Sequence, residues 1–271
     1  CTVDFKNKED GSYIISSTDN QVIISGAGNK GTINAVYGFL EKYCGCHWYE
    51  AQVIITPDNP DLTVPVGISE EYTPFFEYSE TDTTSAWDAE FSVANGLTGG
   101  IYKNLTPEQG SDVDYLGASS HTLVNLFCKP SVYFDEHPEY FSEVNGVRIK
   151  ENTQLCLTND DVFELALKQI KKWIEEHPET TIISVSQNDA SIPCTCENCR
   201  RIDDYEGSQA GSLIMFVNRI AGALAQEHPD ISIDTLAYVY TRSAPKHIRP
   251  LPNVIIRLCD IECCFSHPLE E

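Results

Sequence analysis

Two acidic side chains follow directly on apolar runs that stop abruptly. In Ile182 to Cys199, IISVSQNDASIPCTCENC, a β-branched run ends at polar Gln187, Asn188 and Asp189. In Val254 to Glu262, VIIRLCDIE, a second run ends at Asp260, Ile261 and Glu262. Carboxyl groups paired across a scissile bond are the working parts of glycoside hydrolysis. They stand about 5 to 5.5 Å apart for direct retention and about 6.5 to 9.5 Å apart for inversion. Asp189 and Glu262 are therefore the candidate catalytic pair. Burial or a neighbouring charge would raise the pKa of whichever one serves as the acid, and the sequence leaves the two roles open. The plainer alternatives are an Asx turn at Asp189 and a solvated strand-end acid at Glu262.

Four other residues are candidates for binding. Asn188 could hydrogen-bond a sugar hydroxyl or acetamido group, or simply turn the chain. His121 follows a long irregular stretch, 92 to 118, and such stretches tend to carry function. Tyr238 ends the run Ile231 to Tyr238, where a core-packing role competes with a contact role. Trp87 stands in a polar segment and could stack on a sugar face, although single exposed aromatics are common. Cys194, Cys196 and Cys199 form a C-x-C-x2-C cluster. Tetrahedral zinc needs four soft or imidazole ligands, so a fourth would come from Cys128, Cys156, Cys259 or a histidine. One disulfide plus a free thiol, or three free thiols, are the competing states. No cofactor for catalysis is expected, and a zinc ion here would be structural.

The elements that must position these groups follow from the patterning. The chain has 271 residues, enough for more than one domain. Eighteen basic against 41 acidic residues give a net charge of −23, which argues against nucleic acid and anionic membranes as partners. No apolar run is long enough to span a membrane. Tyr13–Ile15 and Val22–Ile24 read as a hairpin. Ile33, Val36, Tyr37 and Leu40 read as an amphipathic helix ending at Cys44–Gly45. The turn GAGNKG before it lacks the Lys-Ser/Thr ending of a phosphate loop, so it reads as the start of a helix. The Pro-rich segment 57 to 65 then closes a small α/β domain, residues 1 to 66.

Beyond it, Phe75–Tyr78 reads as an aromatic strand, Asn145–Gly146 as a hairpin turn, and Leu155–Leu157 as a short strand. A helix capped at Asn159 or Asp160 follows, then strand Thr181–Ser186. The same order returns with a helix around Leu213–Leu224 and strand Ile231–Tyr238, and Val254–Leu258 is one more strand. Alternating strands and helices with short connections imply a parallel sheet. The expected fold is α/β, a small N-terminal domain followed over residues 67 to 271 by a (β/α) barrel of the TIM type. A full barrel needs about 250 residues, so the barrel is expected to be partial, truncated before its last strands.

The motifs taken together resemble a known family. GTINAVYGFLEKYCGCHWY is similar to the small domain that precedes the barrel in α-glucuronidases and β-hexosaminidases. HPEYF, QLCLTN, SVSQNDASIPCTCENC, LAYVYT and DIECCF-x-HP, in that order, resemble the family catalogued as domain of unknown function 4838. Part of that family is glycoside hydrolase family 163, endo-β-N-acetylglucosaminidases acting on N-glycans. One departure is that EYSETD stands where the family's first barrel strand carries an Arg. The resemblance implies a secreted, periplasmic or cell-surface bacterial enzyme acting on amino-sugar glycans. It also implies a mechanism in which one carboxyl group orients the substrate acetamido group and the other donates the proton. A non-catalytic carbohydrate-binding protein on the same scaffold is the alternative. A zinc-dependent hydrolase fits less well, because three cysteines leave no evident open catalytic position.

Overall fold

The computed structural model describes residues 4–100, 103–111, 113–116 and 120–267. Ser119, and the closing residues Pro268 to Glu271, lie outside that range. Two compact units divide at Asp114 and Tyr115.

In the first unit, β1 (Tyr13–Thr18) and β2 (Gln21–Gly26) form the expected hairpin, with Ile15 opposite Ile24. Helix α1 (Gly28–Cys44) packs on that hairpin and ends at Gly45 in the left-handed conformation, φ 71°. A glycine in its first turn serves packing. A Cβ on Gly31 would lie 2.3 Å from the Ser12 carbonyl oxygen, so only glycine lets helix and strand approach this closely. β3 (His47–Glu50) and β4 (Val53–Ile55) make a second hairpin. The Pro-rich segment leads into β5 (Ser69–Tyr72), which returns to pair with β1 and gives a sheet ordered β2-β1-β5. The compact unit thus runs past residue 66, through α2 (Ala89–Ala94) and the two-residue strands β6 (Gly99–Gly100) and β7 (Lys103–Asn104).

Residues 75–78 do not form a strand. Phe75 and Phe76 pack edge-to-face on each other and remain exposed. Aromatic content favours a strand only where a neighbouring strand supplies pairing and cover.

The second unit is built on a parallel sheet of β8 (Tyr115–Leu116), β11 (Ile182–Ser184), β12 (Ser232–Ala237) and β13 (Val254–Leu258), adjacent in that order. Among the described residues this sheet is open, and they close no barrel. The hairpin β9 (Glu143–Val144) and β10 (Val147–Arg148) turns at Asn145 and Gly146, both with positive φ, as Asn-Gly demands. Leu155 makes only a single bridge, to Phe141, so the expected strand 155–157 is not formed. After the short α3 (Pro130–Tyr133), helix α4 (Asp160–Glu176) begins where the Asn159 side chain accepts from the Asp161 and Val162 amides. Its apolar face, Val162, Phe163, Ala166, Ile170 and Ile174, is buried as the 3.6-residue period requires. Helices α5 (Glu197–Glu206) and α6 (Ala210–Leu224) follow β11, and Phe216, Val217, Ile220 and Leu224 of α6 join the same core. Asp234 of β12 is fully buried and takes a two-pronged ion pair from Arg257 of β13, at 2.7 and 3.0 Å. On β13 the side chains of Ile255, Ile256 and Leu258 are exposed.

Candidate functional site

The sheet fixes the site because parallel strands end on one side. Asp189 lies beyond β11, Tyr238 directly after β12, and Glu262 beyond β13. The Tyr238 hydroxyl donates to Asp189 Oδ1 at 2.9 Å. That bond first, then partial burial, then the charges of Asp189, Cys259 and Glu262 hold the phenol pKa above its usual range. Glu262 makes an ion pair of 2.6 Å with Arg242, both partly exposed, so the pair adds little to stability.

The loop after β11 is held by amide side chains. Gln187 is buried, and its Nε2 donates to the Tyr238 carbonyl at 2.8 Å and to Thr241 Oγ1 at 2.7 Å. This ties the end of β11 to the end of β12. Gln187 Oε1 has no partner among the described residues, an acceptor in a place where buried polar atoms are nearly always matched. Gln154, also buried, donates from Nε2 to the carbonyls of Asn188 and Ala190, both at 2.7 Å, and accepts from the Asn188 amide at 2.8 Å. Asn188 Nδ2 donates to the Thr153 carbonyl at 3.1 Å. One end of the Asn188 side chain is thus held by the protein's own backbone.

His121 completes the cluster. Its Nδ1 stands 2.9 Å from the Gln187 carbonyl, and its ring lies 6.0 Å from that of Tyr238. Its φ is 57°, and Val239 on the far side has φ 50°. A β-branched residue with positive φ is a strained backbone, and such strain gathers at functional sites. A single π turn, Leu123–Phe127, follows His121. Trp87 belongs to the first unit, half exposed at the end of the turn Thr84–Trp87.

The three cysteines acquire a fourth. Cys156, Cys194, Cys196 and Cys199 are all buried, with their four Sγ atoms within 4.8 Å of one another. Cys128, the other buried thiol, sits alone in the apolar core, where burial pushes it to about 12. Of the residues named from sequence, the structure brings together Asp189, Asn188, His121 and Tyr238, while Glu262 lies beyond the next strand, paired with Arg242. Gln154 and Arg242 escaped that reading, and Cys156 was one of three cysteines it offered as the fourth ligand. Gln154 stands in the QLCLTN motif, where an inward polar residue among buried neighbours was its only signal.

The family model described as domain of unknown function DUF4838 matches residues 48–271, most of the chain. The chain belongs to the DUF4838 family. A solved β-N-acetylhexosaminidase from Bacteroides fragilis NCTC 9343 superposes with a TM-score of 0.48 at 13% identity, over 94% of this chain. This DUF4838 chain spans 57% of the length of that structure. No curated protein matches it by sequence.

Proposed function

We propose that the protein is a glycoside hydrolase acting on amino-sugar glycans, of the endo-β-N-acetylglucosaminidase kind gathered in glycoside hydrolase family 163. The observation that supports this best is the placement of Asp189 and Glu262 beyond two strands of one parallel sheet. Tyr238 stands on the strand between them and bonds to the first. Strands β8, β11, β12 and β13 follow one another in sequence order without reversal, the winding of a (β/α) barrel, whose enzymes draw catalytic groups from strand ends. We read the sheet as an arc of such a barrel.

In this reading Asp189, steadied by Tyr238, accepts the N–H of the substrate acetamido group. The acetamido oxygen attacks the anomeric carbon, and the bond from that carbon to the glycosidic oxygen breaks. As the glycan enters, Glu262 parts from Arg242 and takes a proton from solvent, and it gives that proton to the departing oxygen. Water then opens the cyclic intermediate and returns the proton to Glu262. His121, partly buried beside Tyr238, is a polar contact in the same region.

The test is release of reducing sugar from an N-glycan by the wild type and by Asp189→Asn and Glu262→Gln. General acid–base residues contribute about 10²- to 10⁴-fold, and losses of that size are expected in both variants. Wild-type turnover in both would overturn the site. Glycan binding without cleavage by the unaltered protein would establish the carbohydrate-binding alternative.

A further inference from the structure

We propose that Cys156, Cys194, Cys196 and Cys199 form a closed tetrathiolate site for one zinc ion, which ties the loop bearing Asn188 and Asp189 to the segment bearing Gln154. The distances fit the ion. Zinc–sulfur bonds of about 2.3 Å in a tetrahedron place the sulfurs about 3.8 Å apart. Cys156 Sγ lies 3.6 Å from Cys196 Sγ and 3.9 Å from Cys199 Sγ. The donor set fits too, since four thiolates with no open position describe a structural zinc site rather than a catalytic one.

Two separate stretches of chain supply the ligands. Cys156 follows Gln154 by two residues. Cys194 ends the loop from β11, and Cys196 and Cys199 lie at the N-cap and in the first turn of α5. A spacing of three puts both on one face of that turn, and the positive end of the helix favours their thiolates. Zinc with four thiolates carries a net charge of −2, and the surroundings answer it. Arg148 Nη1 stands 3.9 Å from Cys194 Sγ, and the Glu143 amide donates to the same sulfur at 3.4 Å. Thr158 Oγ1 lies 3.3 Å from Cys199 Sγ and 3.5 Å from Cys156 Sγ. Arg148 is itself anchored on the Phe141 carbonyl at 2.7 Å and on Glu143 at 3.2 Å. Outer contacts of this kind orient metal ligands and tune their basicity.

The four sulfurs form a buried cluster apart from the main apolar core. Thiols are weak hydrogen-bond donors, so four of them confined together have little to gain from one another without an ion. Binding is ligand exchange with no redox step. Four S–H protons pass to solvent, and four zinc–sulfur bonds form.

The full chain, grown with added zinc and purified under reducing conditions without chelator, is expected to carry about one zinc per molecule by elemental analysis. Cys128→Ser retains the metal and Cys156→Ser loses it. Should Cys156→Ser not fold, the wild type still decides. Cobalt substituted for zinc should give the sulfur-to-cobalt charge-transfer bands of a tetrahedral tetrathiolate, and titration with an organomercurial should release the zinc. Zinc far below stoichiometry with no cobalt–thiolate spectrum overturns the proposal. So does a disulfide mapped between any two of the four. Neither readout depends on glycan turnover, so failure here and failure of the hydrolase reading are separable.

Discussion

Replacing Gln154 tests whether one amide side chain holds the loop on which Asp189 stands. It makes three hydrogen bonds to the backbone of that loop, at 2.7, 2.7 and 2.8 Å. Gln154→Met keeps the length and removes all three. Each bond contributes about 1 kcal/mol net, and an orphaned buried group costs about 1 to 3 kcal/mol. Asn188 and Ala190 are only partly buried, so water recovers part of the loss. A destabilisation of about 2 to 4 kcal/mol is expected, measured by urea unfolding. Gln154→Glu separates donor from acceptor, because its carboxylate can still accept from the Asn188 amide but cannot donate to either carbonyl. The local readout is hydrogen exchange of the Asn188 amide. Losing a bond worth 1 to 2 kcal/mol speeds exchange by about 5- to 30-fold in Gln154→Met, and much less in Gln154→Glu. Unchanged exchange at Asn188 in Gln154→Met, with a stability change under about 0.5 kcal/mol, would refute the idea that Gln154 positions the loop.

Three further outcomes are expected. Burial pushes Asp203 up to about 6, above the value of about 3.9 for an unfolded chain. The folded state therefore holds that proton more tightly, and Asp203 subtracts stability as pH rises through that window. Asp203→Asn should match the wild type below about pH 4 and exceed it by about 1 to 2 kcal/mol above about pH 6, by thermal unfolding at both pH values. Val239→Gly should relieve the positive φ at a site Val resists, leaving stability unchanged or raised by about 1 kcal/mol; a loss above about 2 kcal/mol would deny the strain. Tyr238→Phe removes the hydrogen bond to Asp189, and since the pair is exposed, kcat/KM on glycan should fall about tenfold with little change in Tm.

How much of this was legible depended on whether the information was local. The α4 stripe, its Asn159 cap, the Asn-Gly hairpin and the last three parallel strands are written in spacings of a few residues, and they form as read. The strand ends at Asp189, Tyr238 and Glu262 were visible because an apolar run that breaks into polar residues is also local. What was not local was left open or missed. Cys156 lies 40 residues from Cys196, and no spacing rule chose it over Cys128 or Cys259. Gln154 bonds across 34 and 36 residues to a loop that has no regular structure of its own. Phe75–Tyr78 had strand composition without a neighbour to pair with. Leu155 made one bridge where a strand was read, because the backbone bonds beside it reach only Tyr140 and Ser142 and the pairing goes no further.

The ion pair between Asp234 and Arg257 has a practical consequence. Asp234 is fully buried, and Arg257 on the neighbouring strand is the charge that answers it. Removing the partner of a buried charge leaves that charge uncompensated, at a cost of about 3 to 5 kcal/mol. Arg257 is thus a clasp across β12 and β13, and Arg257→Leu would loosen the two strands beyond which Tyr238 and Glu262 stand.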